Sequence, residues 1–354
     1  MASSQVIHFA LTRDGARLAF TENGSGPVLV IVGHWPSHVA MDWNSPVWHH
    51  WLEGLSRSHR ILRYDSRGTG LSSSGRDGMS LETWVEDLET IVAAAGLKSF
   101  AVLGMLNAGP VAIDYAVRHP DRVRALVLYG TFVLGRERRG DARSSREGEA
   151  LRTLMQLSWD EDNAAIRQLW SARFIPESSL EQLTSFNELQ RTAAGAETVS
   201  ESLDVCHRID VTAQAGRVRV PTLVMHSRND AMVPLESGYQ VAALVPGADF
   251  LLLDSNNHIL LAHEPAWGLF LSSIDNFLDP QSVPVPHPLD LLTAREREIL
   301  ELIASGLDNA AISRLLFLSP STVRNHITHV FGKLGVANRA RAIVLARDAG
   351  IGGR

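Results

Sequence analysis

The stretch Gly104-Met105-Leu106-Asn107-Ala108-Gly109-Pro110 has the frame of a nucleophile elbow and no nucleophile. An apolar run, Phe100 to Leu103, precedes it, and a helical pattern through Val111, Ala112, Tyr115 and Ala116 follows: strand, tight turn, helix. In G-x-S-x-G this turn thrusts the central side chain up from the sheet edge. Here the reactive position falls on Leu106, which has no atom able to attack a carbonyl. Asn107 also has a glycine two positions later, but Gly104, Gly109 and Pro110 together favour Leu106, and neither residue supplies a hydroxyl or thiol.

The elements that position this turn follow from periodicity. Val6 to Leu11 and Arg17 to Thr21 alternate and meet across Asp14-Gly15, a hairpin signal. Apolar runs at Val28–Val32, Ile61–Tyr64, Ala125–Tyr129, Thr222–Met225 and Phe250–Leu253 predict buried strands. Ser80 caps a helix through Leu81, Trp84, Val85, Leu88 and Ile91, and Pro265 opens a closing helix to Phe277. Strands alternating with helices call for a largely parallel sheet covered on both faces. From about 132 to 218 the pattern turns helical and charged, as expected of a helical cap over the sheet.

At 354 residues, 45% hydrophobic and 20% charged, the chain has material for two to three domains. A single cysteine, Cys206, excludes an intrachain disulfide and a cysteine metal cluster. No metal and no cofactor are expected. Met1 to Thr12 shows no basic flank followed by an apolar run, and no segment is long and apolar enough to span a bilayer, so a cytoplasmic protein without membrane contact is expected. The net charge of −6 is uneven: nine Lys or Arg against six Asp or Glu from Asp290 onward make that segment +3, leaving −9 for the rest. A basic tail on an acidic body points to a nucleic-acid partner for the tail.

Residues 1–278 resemble an α/β-hydrolase domain. The resemblance rests on Asp65-x-Arg67-Gly68-x-Gly70-x-Ser72, the elbow frame, Asp230 followed by Val233-Pro234, and His258 followed by Glu264-Pro265, in the order elbow, acid, histidine. It implies that Asp230 would orient His258 and His258 would take a proton from a serine. Leu106 leaves that degenerate triad without the proton. His258 and Asp230 are then a ligand-binding pair, a base acting on water or substrate, or an inherited hydrogen bond that steadies two loops. Candidate lining residues of a cavity between sheet and cap are His34, Trp35, His38, Met105, Leu106, Met232 and His258, with the amides of Asn107 and of a residue near His34 as donors to a ligand carbonyl. Trp159 and Trp170 are either core or cavity wall.

Residues 279–289 hold four prolines in Asp279 to Pro288 and predict a semi-rigid linker. Beyond it, residues 290–354 predict an all-α helix-turn-helix domain. Thr293 and Glu296 form a capping box, Asp308 caps Asn309 to Leu316, Ser319-Pro320 opens a longer helix, and a last helix runs from Asn338 to Ala349. In the longer helix Val323, Ile327, Val330, Phe331 and Leu334 face inward, leaving Arg324, Asn325 and Thr328 outside.

This tail resembles the LuxR-type (GerE-like) DNA-binding domain through Leu292-Thr293-x-Arg295-Glu296-x-Glu298, Ile312-x-x-x-Leu316, Ser319-x-x-Thr322-Val323-Arg324-x-His326 and Lys333-Leu334-Gly335-Val336. The resemblance implies that Arg324, Asn325 and Thr328 face base edges of a double-stranded operator while Thr322, Lys333 and Arg339 meet phosphates. The expected function is a homodimeric transcription regulator whose body senses a small molecule, with esters, lactones and aromatic acids as candidates. Two alternatives stand beside it: a regulator with residual His258/Asp230 chemistry, and a body that is a dimerisation scaffold only.

Overall fold

A computed structural model describes residues 5–35, 37–160, 165–279, 289, 292–316, 318–334, 336, 338–348 and 351. The proline-rich segment 280–288, and Phe317, Gly335 and Ala349 of the predicted tail elements, lie outside them. The chain divides into two compact units, Met1–Leu278 and Asp279–Arg354.

Among the described residues the first unit holds eight strands: β1 (Ile7–Leu11), β2 (Arg17–Asn23), β3 (Val28–Ile31), β4 (Arg60–Tyr64), β5 (Phe100–Met105), β6 (Val123–Tyr129), β7 (Thr222–Ser227) and β8 (Asp249–Leu253). Their order is β1-β2-β4-β3-β5-β6-β7-β8. The β1/β2 and β2/β4 pairs are antiparallel, and every pair from β4/β3 onward is parallel. The edge strand β1 is mostly exposed, as its alternation requires, whereas β5 and β7 are buried at every residue because helices cover both faces.

The body helices are α1 (Val39–Asp42), α2 (His49–Ser56), α3 (Leu81–Ala94), α4 (Ala108–Arg118), α5 (Ala142–Ser158), α6 (Ala165–Phe174), α7 (Leu180–Ala193), α8 (Ala196–Arg208), α9 (Thr212–Ala215), α10 (Leu235–Leu244) and α11 (Pro265–Leu278). Helices α5 to α8 make the cap. The turn after β4 is a staple. Asp65 accepts from the amides of Val39 (2.8 Å) and Leu71 (2.9 Å), and Arg67 reaches Asp87 and Asp14 at 2.7 and 3.0 Å with its side chain buried. These polar groups satisfy one another, so this landmark of the sequence holds loops and does no chemistry.

The second unit contains α12 (Ala294–Ala304), α13 (Asn309–Leu316), α14 (Pro320–Leu334) and α15 (Arg339–Asp348). Thr293 and Glu296 close the predicted capping box, and Asp308 Oδ1 accepts the Ala311 amide at 2.7 Å. Asn338 stands outside the last helix as its cap, its Oδ1 taking the Arg341 amide at 3.0 Å. Ile299, Ile303, Ile312, Val323 and Ile327 pack α12, α13 and α14 together.

Candidate functional site

The strand order sets the site. Loops leave the carboxyl ends of the adjacent strands β3, β5, β6, β7 and β8 carrying, in that order, Trp35, Leu106, Thr131, Asp230 and His258. Carboxyl ends of parallel strands are where this class of sheet binds ligands.

Leu106 has φ +47°, in the left-handed region, and is the non-glycine residue there among the described residues. That conformation costs a leucine about 1–2 kcal/mol, so the surroundings must impose it. Thr131 Oγ1 donates to the Leu106 carbonyl at 2.5 Å, and the Gly109 amide reaches the same oxygen at 3.3 Å. A Cβ at Gly109 would lie 1.9 Å from Thr131 Oγ1, and one at Gly104 would lie 2.7 Å from the Ala112 Cβ, so both glycines let helix α4 close on the strand. Asn107 has φ −69°, which puts Leu106 and not Asn107 at the elbow apex. The strained turn persists around a side chain that cannot use it.

His258 Nδ1 lies 2.6 Å from Asp230 Oδ2, and both side chains are buried. Asp230 Oδ1 accepts from the amides of Met232 (2.8 Å) and Val233 (3.0 Å), which fixes the carboxyl group. Glu264 holds the histidine loop by accepting from the Leu261 amide (2.5 Å), Asn257 Nδ2 (2.9 Å) and Ser255. The cap grips both loops from the end of α6. The Phe174 carbonyl accepts the His258 amide at 2.8 Å, and Arg173 donates to the Ala231 carbonyl at 2.7 Å.

Two cavities flank Leu106. The larger, about 570 Å³ counting the part open to solvent, lies between the sheet and the cap and is lined by Trp35, Leu106, Asn107 and Met232 below and by Phe132, Arg136, Arg139, Trp170 and part of α8 around it. The smaller, about 260 Å³, is lined by His34, Trp35, Met105, Leu106, Phe174 and His258. Burial lowers the His34 pKa to about 4, so its ring is neutral near pH 7, and it packs on Trp48 with centroids 4.8 Å apart. Trp159 belongs to the core, its indole donating to the Ala194 carbonyl at 2.7 Å, while Trp170 is cavity wall.

Two expectations need correction. His38 lines neither cavity. The chain turns into α1 directly after it, and its amide caps Asp42 Oδ2 at 3.3 Å, with the residue buried beside Asp65. Nor is the amide near His34 open to a ligand, because the Trp35 N–H donates to Asn107 Oδ1 at 3.1 Å. The side chain after the elbow thus occupies a donor that a substrate carbonyl would use. Arg136 and Arg139 escaped the sequence reading because they follow β6, not one of the strands bearing the motifs. The charged run Arg136-Glu137-Arg138-Arg139 was the available signal.

In the tail, Arg324, Asn325 and Thr328 are exposed on α14 opposite its buried residues Val323, Ile327, Val330 and Leu334. Thr322 sits at the first turn, its amide capped by Ser319 Oγ at 3.1 Å. Lys333 and Arg339, expected at phosphates, each also have a partner inside the domain. Lys333 Nζ is 2.6 Å from Glu296 Oε2, and Arg339 donates to Asn309 Oδ1 at 3.0 Å and to the Leu307 carbonyl.

Lys333 is the first cause, with the Thr293 amide second, of a Glu296 pKa lowered from 4.5 to about 2. A depressed carboxyl pKa contributes stability above the ordinary carboxylate range, lost as pH falls through the folded value. A carbon-detected titration of the full chain is expected to place Glu296 at about 2 and to move it back toward 4.5 in Lys333→Met. An unchanged midpoint in the variant would remove the lysine as the cause.

Residues 27–265 match the model described as alpha/beta hydrolase fold, and residues 290–346 match that of bacterial regulatory proteins, luxR family. The chain belongs to the α/β-hydrolase fold family. Its C-terminal domain is of the luxR family, the architecture of a DNA-binding transcriptional regulator. Over 274 residues it is 25% identical to pyrrolizixenacetamide deacetylase of Xenorhabdus hominickii, spanning 76% of this chain and 97% of that protein. The tail is 46% identical over 52 residues to a protein of Mycobacterium bovis named as an HTH-type transcriptional regulator, covering 15% of this chain and 6% of that one. An esterase from Exiguobacterium antarcticum superposes with a TM-score of 0.66 at 20% identity, covering 77% of this chain and all (100%) of that one. Among the described residues no helix is long and apolar enough to cross a membrane.

Proposed function

We propose that this chain is a transcriptional regulator in which the hydrolase-fold body receives a small molecule and is not a hydrolase. One observation carries the reading: an apolar cleft between sheet and cap opens beside an elbow that keeps its strained geometry and presents Leu106. A protein that turned over esters needs an attacking atom there, whereas a receptor needs only shape and a few placed polar groups. The operator contacts are assigned to Arg324, Asn325 and Thr328 for base edges and to Thr322 for phosphate. One helix-turn-helix unit makes few base contacts, so a homodimer on two half-sites belongs to the reading.

The purified chain is expected to show no turnover of nitrophenyl acetate above buffer, because loss of the nucleophile removes most of the rate of a nucleophile-base unit. A second reading is favoured by the intact 2.6 Å contact between His258 and Asp230, which leaves a base able to act on water or on a bound substrate. Turnover that disappears in His258→Ala would establish that second reading in place of the receptor.

A further inference from the structure

The roof of the larger cavity is cationic and its walls are apolar. Arg136 and Arg139 enter it from the segment after β6, with the Arg136 side chain 12% exposed. Arg139 lies with its guanidinium carbon 5.5 Å from the Phe132 ring centroid and donates from Nε to the Leu134 carbonyl at 2.9 Å. Among the described residues no carboxyl group forms an ion pair with Arg139. Glu147 faces Arg136 at 3.6 Å and Arg173 at 2.5 Å, and Asp141 adds a second negative charge near Arg136, so Arg136 is already countered within the chain.

Burial and the neighbouring Arg136 lower the Arg139 pKa to about 10, which still leaves it charged near pH 7. Burial, with Arg136 and Arg152 beside it, lowers His207 on the same wall to about 4, so that ring adds no charge. The walls supply a second, independent feature. Trp35 and Trp170 are buried and present aromatic surface to the cavity beside Leu106. A guanidinium group set in an apolar recess without a carboxyl partner is costly, and a bound carboxylate with an apolar body would offset that cost while filling the recess.

We propose that the cavity takes a monoanionic carboxylic acid with an aromatic or branched apolar body, its carboxylate held by Arg139 with Arg136 beside it, and its apolar end between Trp35, Trp170 and Leu106. Guanidinium and carboxylate match as a fork, and the one cation lacking a carboxyl partner sets the charge at a single negative. This inference rests on the receptor reading above and names the class of its ligand.

The test is calorimetry on the full chain near pH 7.5 with three probes of one shape: phenylpropionate, its methyl ester and its amide. The acid is expected to bind about ten-fold or more tighter than either neutral probe, the difference expected of a charge-assisted hydrogen bond. In Arg139→Met, which keeps the aliphatic stem, the acid should fall to the affinity of the ester while the ester is unchanged. Equal binding of all three to the unmodified chain overturns the anion assignment and leaves the receptor reading standing. Absence of binding by all three at millimolar concentration overturns the anion assignment as well and counts against the receptor reading. The comparison among probes on the unmodified chain decides the matter even if Arg139→Met does not fold.

Discussion

Replacing Arg324 by alanine is expected to weaken binding of the full chain to a selected duplex by about 1 to 3 kcal/mol, roughly five- to 150-fold. The side chain is exposed on the outer face of α14, in register with Asn325 and Thr328, while the opposite face is buried against α12 and α13. A long planar cation on that face is the group best suited to a bidentate contact with guanine. The loss should be sequence-specific: affinity for random duplex falls much less, because phosphate contacts carry most non-specific binding. Footprinting of the unmodified chain should protect two half-sites about one helical turn, or a multiple, apart. Equal affinity and equal preference in the variant would remove Arg324 from the base-reading face.

The second large effect concerns Asp230. If the acid-histidine pair now serves architecture, Asp230→Ala should destabilise the body on the order of 3 kcal/mol. Two buried backbone amides and the His258 ring nitrogen lose their acceptor together, at about 1 kcal/mol or more each. The same loop carries the Ala231 carbonyl that Arg173 of the cap uses, so the loss should also loosen the cap. Asp230→Asn keeps the oxygen that takes the Met232 and Val233 amides and should recover part of the stability. Thermal unfolding reads both, and an Asp230→Ala chain as stable as the unmodified one would contradict the architectural role.

Much of this was legible in the sequence because buried parallel strands write themselves as continuous apolar runs. Phe100 to Leu103 and Thr222 to Met225 needed only the turn residues beside them to become β5 and β7. Short helices were less legible. Helix α2 has eight residues that bury Trp51, Leu52 and Leu55 but begin with two histidines, too few for a period to show, and α10, at ten residues, is as short of repeats. The elbow could be placed at Leu106 from glycine spacing, and its positive φ is the backbone counterpart of that spacing.

The cavity's polar groups were beyond such reading. Arg136, Arg139 and Trp170 meet only because the cap folds back over the sheet, and no local pattern reports that. Lys333 and Glu296 are 37 residues apart, and their pairing is a tertiary contact that a resemblance to DNA-binding tails conceals.

A regulator of the kind proposed would couple its body to its tail through the ligand, and such coupling is reciprocal: a molecule that changes DNA affinity must itself bind differently when DNA is bound. The direct measurement is calorimetric titration of the full chain with phenylpropionate, first alone and then with saturating selected duplex. A change in its Kd of about five-fold or more, in either direction, is the predicted result. An identical Kd in the two titrations would contradict the account.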